Sequence, residues 1–189
     1  MFATIALTRG FIMVVRIMTF VTNGGGVGPG HSAVTVDGSV YTFEETVAGW
    51  FSATSGWKKL KYDDYLASNK HRPVLVQYLS SKAVGDRVTA YVNASIARDD
   101  DYGSLSAGVC STQVSKAVDN SLPADIIFDP KGFDTPFGVY HCARRLQLVT
   151  KEEYFWPGQA DMTIGQWSSI VNKLKSDFPA AHKAMTFSR

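Results

Sequence analysis

Gly30-His31-Ser32-Ala33-Val34-Thr35-Val36-Asp37-Gly38-Ser39-Val40-Tyr41-Thr42-Phe43-Glu44 is the stretch on which the reading of this chain turns. Asp-Gly between two apolar runs is a strong signal for a two-residue hairpin turn. A turn at Asp37-Gly38 pairs Val36 with Ser39. Each rung outward steps back one residue on the first strand and forward one on the second. The outermost rung sets His31 opposite Glu44. A carboxylate beside an imidazole fixes its tautomer and favours its charged form. A turn one residue longer brings Glu45 into that place, with its side chain on the other face. A histidine held by a carboxylate is half of a nucleophilic site.

The other half would be a nucleophile elsewhere in the chain. Cys110 follows Gly108-Val109 and opens a segment in which Cys110, Val114, Ala117 and Val118 recur at helical spacing. A thiol at a helix N-terminus sits at the positive end of the dipole, which is expected to lower its pKa. The unpaired N–H groups there can hold an oxyanion. The alternative for Cys110 is a small buried hydrophobe in phase with the apolar face of its helix. His31 likewise has the alternative of a strand residue bonded to a loop carbonyl.

Other candidates are weaker. His141 and Cys142 are adjacent in a segment, 138–149, that reads as a strand, so their side chains diverge. His71 lies at a loop-to-strand junction and His182 in the C-terminal tail. Asp99-Asp100-Asp101 reads as a solvated loop rather than a metal site. Two cysteines and four scattered histidines lack structural zinc spacing, and two cysteines allow at most one disulfide.

Composition bounds the remaining classes. The chain has 189 residues, 45% of them hydrophobic and 12% aromatic, which suits one domain over 1–189 with a real core. A net charge of +2 without a dense basic run gives no footprint for nucleic acid. The glycine-rich 23–30 lacks the Gly-Lys-Ser/Thr ending of a phosphate loop. Residues 1–21 are apolar enough to imitate a signal segment. Arg9 and Arg16 interrupt them, and 11–21 is read as a buried strand. No apolar run reaches the length of a transmembrane span.

Further elements are expected as a short helix near 62–68, a strand over 73–80 and a helix over 82–97 capped by Ser80 or Ser81. A strand is expected at 126–128. A last helix carries a capping box of Thr163 and Gln166, with Ile164, Trp167, Ile170, Val171 and Leu174 as its stripe. The aromatic 46–65 stretch either walls a groove or packs over a sheet.

The order of a Gly30-His31 strand, the Asp37-Gly38 hairpin, Glu44 and then a helix-opening Cys110-Ser111 resembles the circularly permuted NlpC-type branch of papain-like cysteine hydrolases. The resemblance spans about residues 28–149. It implies an α+β papain-like fold with a central antiparallel sheet packed against helices and the cysteine at a helix N-terminus. It implies Cys110 as nucleophile, His31 as general base and then acid, and Glu44 as the group orienting His31. Tyr102, eight positions before Cys110, is similar in place to a tyrosine near the oxyanion hole of such enzymes. Val109 and Thr112 depart from the Asp-Cys-Ser-Gly pattern common in that family.

The resemblance further implies hydrolysis of amide bonds, with bacterial peptidoglycan peptide stems as substrate and no cofactor or metal. It suggests an antibacterial effector, including delivery by the type VI secretion route, with an immunity protein or secretion apparatus as partner. Such an effector is made in the cytoplasm without an evident signal peptide and acts in a target-cell periplasm. Permuted relatives of the lecithin:retinol acyltransferase type act on lipid esters, which leaves a lipid acyltransferase or phospholipase as an alternative. A non-catalytic interaction module with a structural Cys110 is another.

Overall fold

The computed structural model describes residues 13–21, 30–47, 53–98, 110–131, 134–157 and 163–187. In chain order the elements are β1 (Val15–Phe20), β2 (His31–Val36), β3 (Ser39–Val47), β4 (Ala53–Lys61), α1 (Tyr62–Ser68), β5 (Val74–Leu79), α2 (Gly85–Ala97), α3 (Cys110–Ser121), α4 (Pro136–Arg145), β6 (Val149–Phe155), α5 (Ile164–Asp177) and α6 (Pro179–Phe187). The chain is thus α+β, with one six-stranded sheet in the order β4-β3-β2-β1-β5-β6. Every neighbouring pair is antiparallel.

The hairpin has the register expected from Asp37-Gly38. Val36 pairs with Ser39, Thr35 with Val40, Val34 with Tyr41 and Ala33 with Thr42. Asp37 adopts a φ of 51°, in the left-handed region that Asp tolerates better than most residues. Its amide donates to the Val14 carbonyl, and its Oδ1 accepts from the Val14 amide at 2.8 Å. The turn is thereby tied to the start of β1, so register is set by two partners rather than one.

Strand alternation gives the sheet two apolar faces. One carries Val15, Ile17, Val34, Val36, Tyr41, Phe43 and Trp57, buried beneath α2, α3 and α4. The other carries Met18, Phe20, Ala33, Val40, Val74 and Val76, which pack with Tyr65 of α1. His31, Thr42 and Glu44 alternate onto this second face. At the far edge, Ile170, Leu174, Ala181 and Met185 of α5 and α6 pack with Val21, Leu75 and Tyr140.

Several expectations are corrected. Residues 136–145 form a helix, not the beginning of a strand over 138–149. Pro136 occupies its first turn, and the Thr135 hydroxyl accepts from the Gly138 amide at 3.0 Å. Val139, Cys142, Ala143 and Leu146 repeat at helical spacing and face the core. Gln147, at a φ of 52°, ends this segment before β6 begins. Residues 126–128 form no strand, because the Phe128 amide is taken by Asp119 Oδ1 and the Ile126 amide by the Pro123 carbonyl. Helix α2 starts at Gly85 behind Val84, without a side-chain cap from either serine. Strand β4 and helix α6 were not anticipated; the spacing of Phe178, Ala181 and Met185 carried the signal for α6. Trp57 is core, with Nε1 donating to Ser95 Oγ at 3.0 Å, while Trp50 and Phe51 lie outside the described residues.

The capping box at α5 is present in full: Thr163 Oγ1 accepts from the Gln166 amide, and Gln166 Oε1 accepts from the Thr163 amide. Ile170 and Leu174 of the expected stripe are buried, whereas Ile164 is 87% exposed. Thr163→Ala is expected to lower unfolding free energy by about 1 kcal/mol in urea titrations, with an unchanged m-value.

Candidate active site

Gly30 places His31. Its φ is 93°, and a β-carbon there would stand 2.4 Å from the Phe20 carbonyl oxygen. Only glycine lets the chain enter β2 this close to the end of β1, where His31 pairs with Phe20. The imidazole lies 5.6 Å from the Phe20 ring, measured between centroids.

The expected carboxylate is present, but it reaches His31 through a hydroxyl. His31 Nε2 lies 2.7 Å from Thr42 Oγ1, whereas its distance to Glu44 Oε1 is 4.0 Å. Thr42 Oγ1 donates to Glu44 Oε1 at 3.1 Å, and Tyr65 donates to the same oxygen at 2.8 Å. Thr42 Oγ1 also lies 3.1 Å from Tyr65 Oη, so its single proton has three candidate acceptors, Glu44, Tyr65 and His31. Given to Glu44 or Tyr65, it leaves Oγ1 to accept from His31, with the imidazole hydrogen on Nε2 and the lone pair on Nδ1. Thr42, within the quoted hairpin, and Tyr65, at the end of the aromatic 46–65 stretch, carry no site role in the sequence alone. Thr42 was legible in principle, since it stands two residues before Glu44 on the same strand face; Tyr65 arrives from α1 through tertiary packing.

Glu44 is ionised at neutral pH. Burial pushes its pKa up, but the Tyr65 and Thr42 hydrogen bonds, the His31 ring and the Lys58 ammonium 3.4 Å away outweigh burial and lower it. Burial moves His31 the other way, from the ordinary 6.5 to about 4. The Arg72 guanidinium adds to that fall and Glu44 opposes it. His31 is thus a neutral imidazole at pH 7, the form a general base requires.

Cys110 opens α3 as expected, 5% exposed. Its thiol is approached by the backbone N–H groups of Ser32, Ser111 and Cys110 itself, and lies in the field of Arg72. These groups favour a thiolate, yet burial is larger and raises the pKa above its ordinary value. The expectation of a depressed pKa at the helix N-terminus is therefore corrected: desolvation outweighs the backbone N–H groups and Arg72. The start of α3 is pinned by the Ser111 hydroxyl, which donates to the Asp134 carbonyl.

Cys110 thus meets β2 at Ser32, the residue next to His31. Among the described residues no hydrogen bond joins the thiol to the imidazole, and Nδ1 of His31 has no partner. Tyr102, Glu45's side chain and Asp99–Asp101 lie outside what the structure describes. Cys110 and Cys142 are both free thiols. His141 sits on α4, with Nε2 2.8 Å from the Asp177 carbonyl oxygen and its ring stacked on Phe178. Among the described residues no group of three or more His, Cys, Asp and Glu side chains could hold a metal ion. No described helix is long and apolar enough to cross a membrane. No family model, curated protein or solved structure matches this chain.

Thr42→Val keeps the shape of the residue and removes the relay. It is expected to abolish the preference for the Nε2–H tautomer, read from the imidazole nitrogen shifts in NMR. Thr42→Ser should keep that preference. An unchanged tautomer in the valine variant would show that Thr42 does not orient His31.

Proposed function

We propose that this chain is a cysteine hydrolase of the permuted NlpC-type, papain-like class, acting on amide bonds. One observation carries the reading. The imidazole is neutral and has Thr42 Oγ1 2.7 Å from Nε2, while Nδ1 has no hydrogen-bond partner among the described residues and belongs to the residue next to the strand amide that meets the Cys110 thiol.

In the proposed reaction the thiol is protonated at rest. Its proton passes to His31 Nδ1 as sulfur bonds to the carbonyl carbon. N–H groups at the start of α3 stabilise the oxyanion. His31 returns the proton to the leaving nitrogen as the C–N bond breaks, and a thioester remains. Water, deprotonated by His31, then releases the acid and restores the thiol. No cofactor enters this scheme. Peptide stems of bacterial peptidoglycan are the proposed substrate. An effector role in a target-cell periplasm, with an immunity protein as partner, is the setting this chemistry suits.

The non-catalytic reading has its own support: Cys110 is buried, its pKa is raised, and it shares no hydrogen bond with His31. Incubation with purified peptidoglycan separates the two. Release of muropeptide fragments by the intact protein, absent from Cys110→Ala, supports hydrolysis. Their absence from both proteins, together with no acyl adduct on Cys110 by mass spectrometry, supports a structural cysteine.

A further inference from the structure

A pocket of about 300 Å³ opens on the α1 side of the sheet. Its apolar wall is Leu66, Val74, Phe155 and Trp156. Val74 and Phe155 are cross-strand partners on β5 and β6, so the wall is fixed by the sheet itself. Trp156 stacks on Tyr154 with ring centroids 5.7 Å apart. The polar contributions are two cations, Lys70 and Arg72, and one acid, Asp63. A small concave apolar site with a few converging charges is the usual form of a small-molecule site.

Arg72 is built to present a donor. Asn69, itself buried, accepts from Arg72 Nε at 3.0 Å and also from Nη2. Asn69 is anchored in turn by donating from Nδ2 to the Tyr65 carbonyl at 2.8 Å. The guanidinium lies over the Phe20 ring, with Cζ 4.8 Å from the centroid. One edge of the fork is therefore held and one face is covered. Nη1 has no hydrogen-bond partner among the described residues. A guanidinium oriented in advance loses little entropy on binding an oxyanion. The lining itself sets two cations against one carboxylate, and Glu44 acts on Arg72 from beyond it, so the positive charge left is small and suits a monoanion rather than a phosphate dianion.

We propose that this pocket binds a small monocarboxylate with an aromatic or aliphatic body, its carboxylate on Arg72 Nη1 and its apolar part against Phe155 and Trp156. The inference is independent of whether Cys110 is a nucleophile.

The test is a titration of full-length Cys110→Ser protein, in which no acyl transfer can intervene, with 3-phenylpropanoate and with its neutral amide. Binding is followed at the indole N–H signal that Trp156→Phe removes. The carboxylate is expected to saturate in the millimolar range and to bind at least about tenfold more tightly than the amide, roughly 1.4 kcal/mol. Arg72→Gln is expected to remove that tenfold preference. Equal binding of acid and amide, an absence of saturation by the acid, or an unchanged preference in folded Arg72→Gln would overturn the proposal. The acid–amide comparison on the unaltered pocket decides the matter even where the arginine variant fails to fold.

Discussion

Cys110→Ala is expected to lose all measurable peptidoglycan hydrolysis, and His31→Gln to fall by about 10²–10⁴-fold. The two losses differ in kind. Without the thiol no thioester can form. With Gln at position 31, the side-chain amide can still donate to Thr42, as the Nε2–H tautomer of the imidazole does. What it lacks is the basic lone pair of Nδ1. A large loss in this variant, with an unchanged unfolding midpoint at pH 7, assigns the effect to proton transfer. Because the thiol is protonated at rest, single-turnover experiments should show no acyl adduct on Cys110 in His31→Gln under conditions where the intact protein accumulates one. Comparable adduct formation in both proteins would remove His31 from the mechanism.

How far the sequence carried this site follows from which interactions were local. The Asp37-Gly38 hairpin is a short-range device, and its register could be counted outward from the turn; the structure keeps that register. The helix starting at Cys110 was legible because its apolar positions repeat within one element. Thr42 and Tyr65 were not legible as parts of the relay, since their role depends on a side chain bridging two strands and on α1 folding over the sheet. The charge states are hidden from the sequence for a related reason. Dipole and neighbouring-charge effects can be inferred from position in sequence, whereas burial is set by the whole fold, and here burial is the larger cause at both Cys110 and His31. Helix α4 is hidden in the sequence because Val139, Leu146, Leu148 and Val149 read together as a strand across the break at Gln147, whereas Val139 in fact groups with Cys142, Ala143 and Leu146.

The same burial makes His31 a measurable pH liability. In the unfolded chain its pKa is near 6.5; in the folded protein it is about 4. Between these values the unfolded chain binds more protons than the folded one, so stability rises with pH through the window. In the other direction, the contribution is whole above pH 6.5 and is lost as pH falls towards 4. A shift of this size corresponds to about 3 kcal/mol. Glu44, with its lowered pKa, adds a loss that begins as pH falls through the ordinary carboxylate value and continues below it. Above that value the decline belongs to His31. Urea titrations at pH 6.5, 5.5 and 4.5 should show a steep decline for the intact protein and a much shallower one for His31→Gln, which has nothing to protonate there. Arg72→Gln should also flatten the slope, because the guanidinium is the second cause of the low imidazole pKa, after burial. If the intact protein and His31→Gln lose stability in parallel over this range, the imidazole is not buried as described, and the free Nδ1 lone pair on which the catalytic reading rests goes with it.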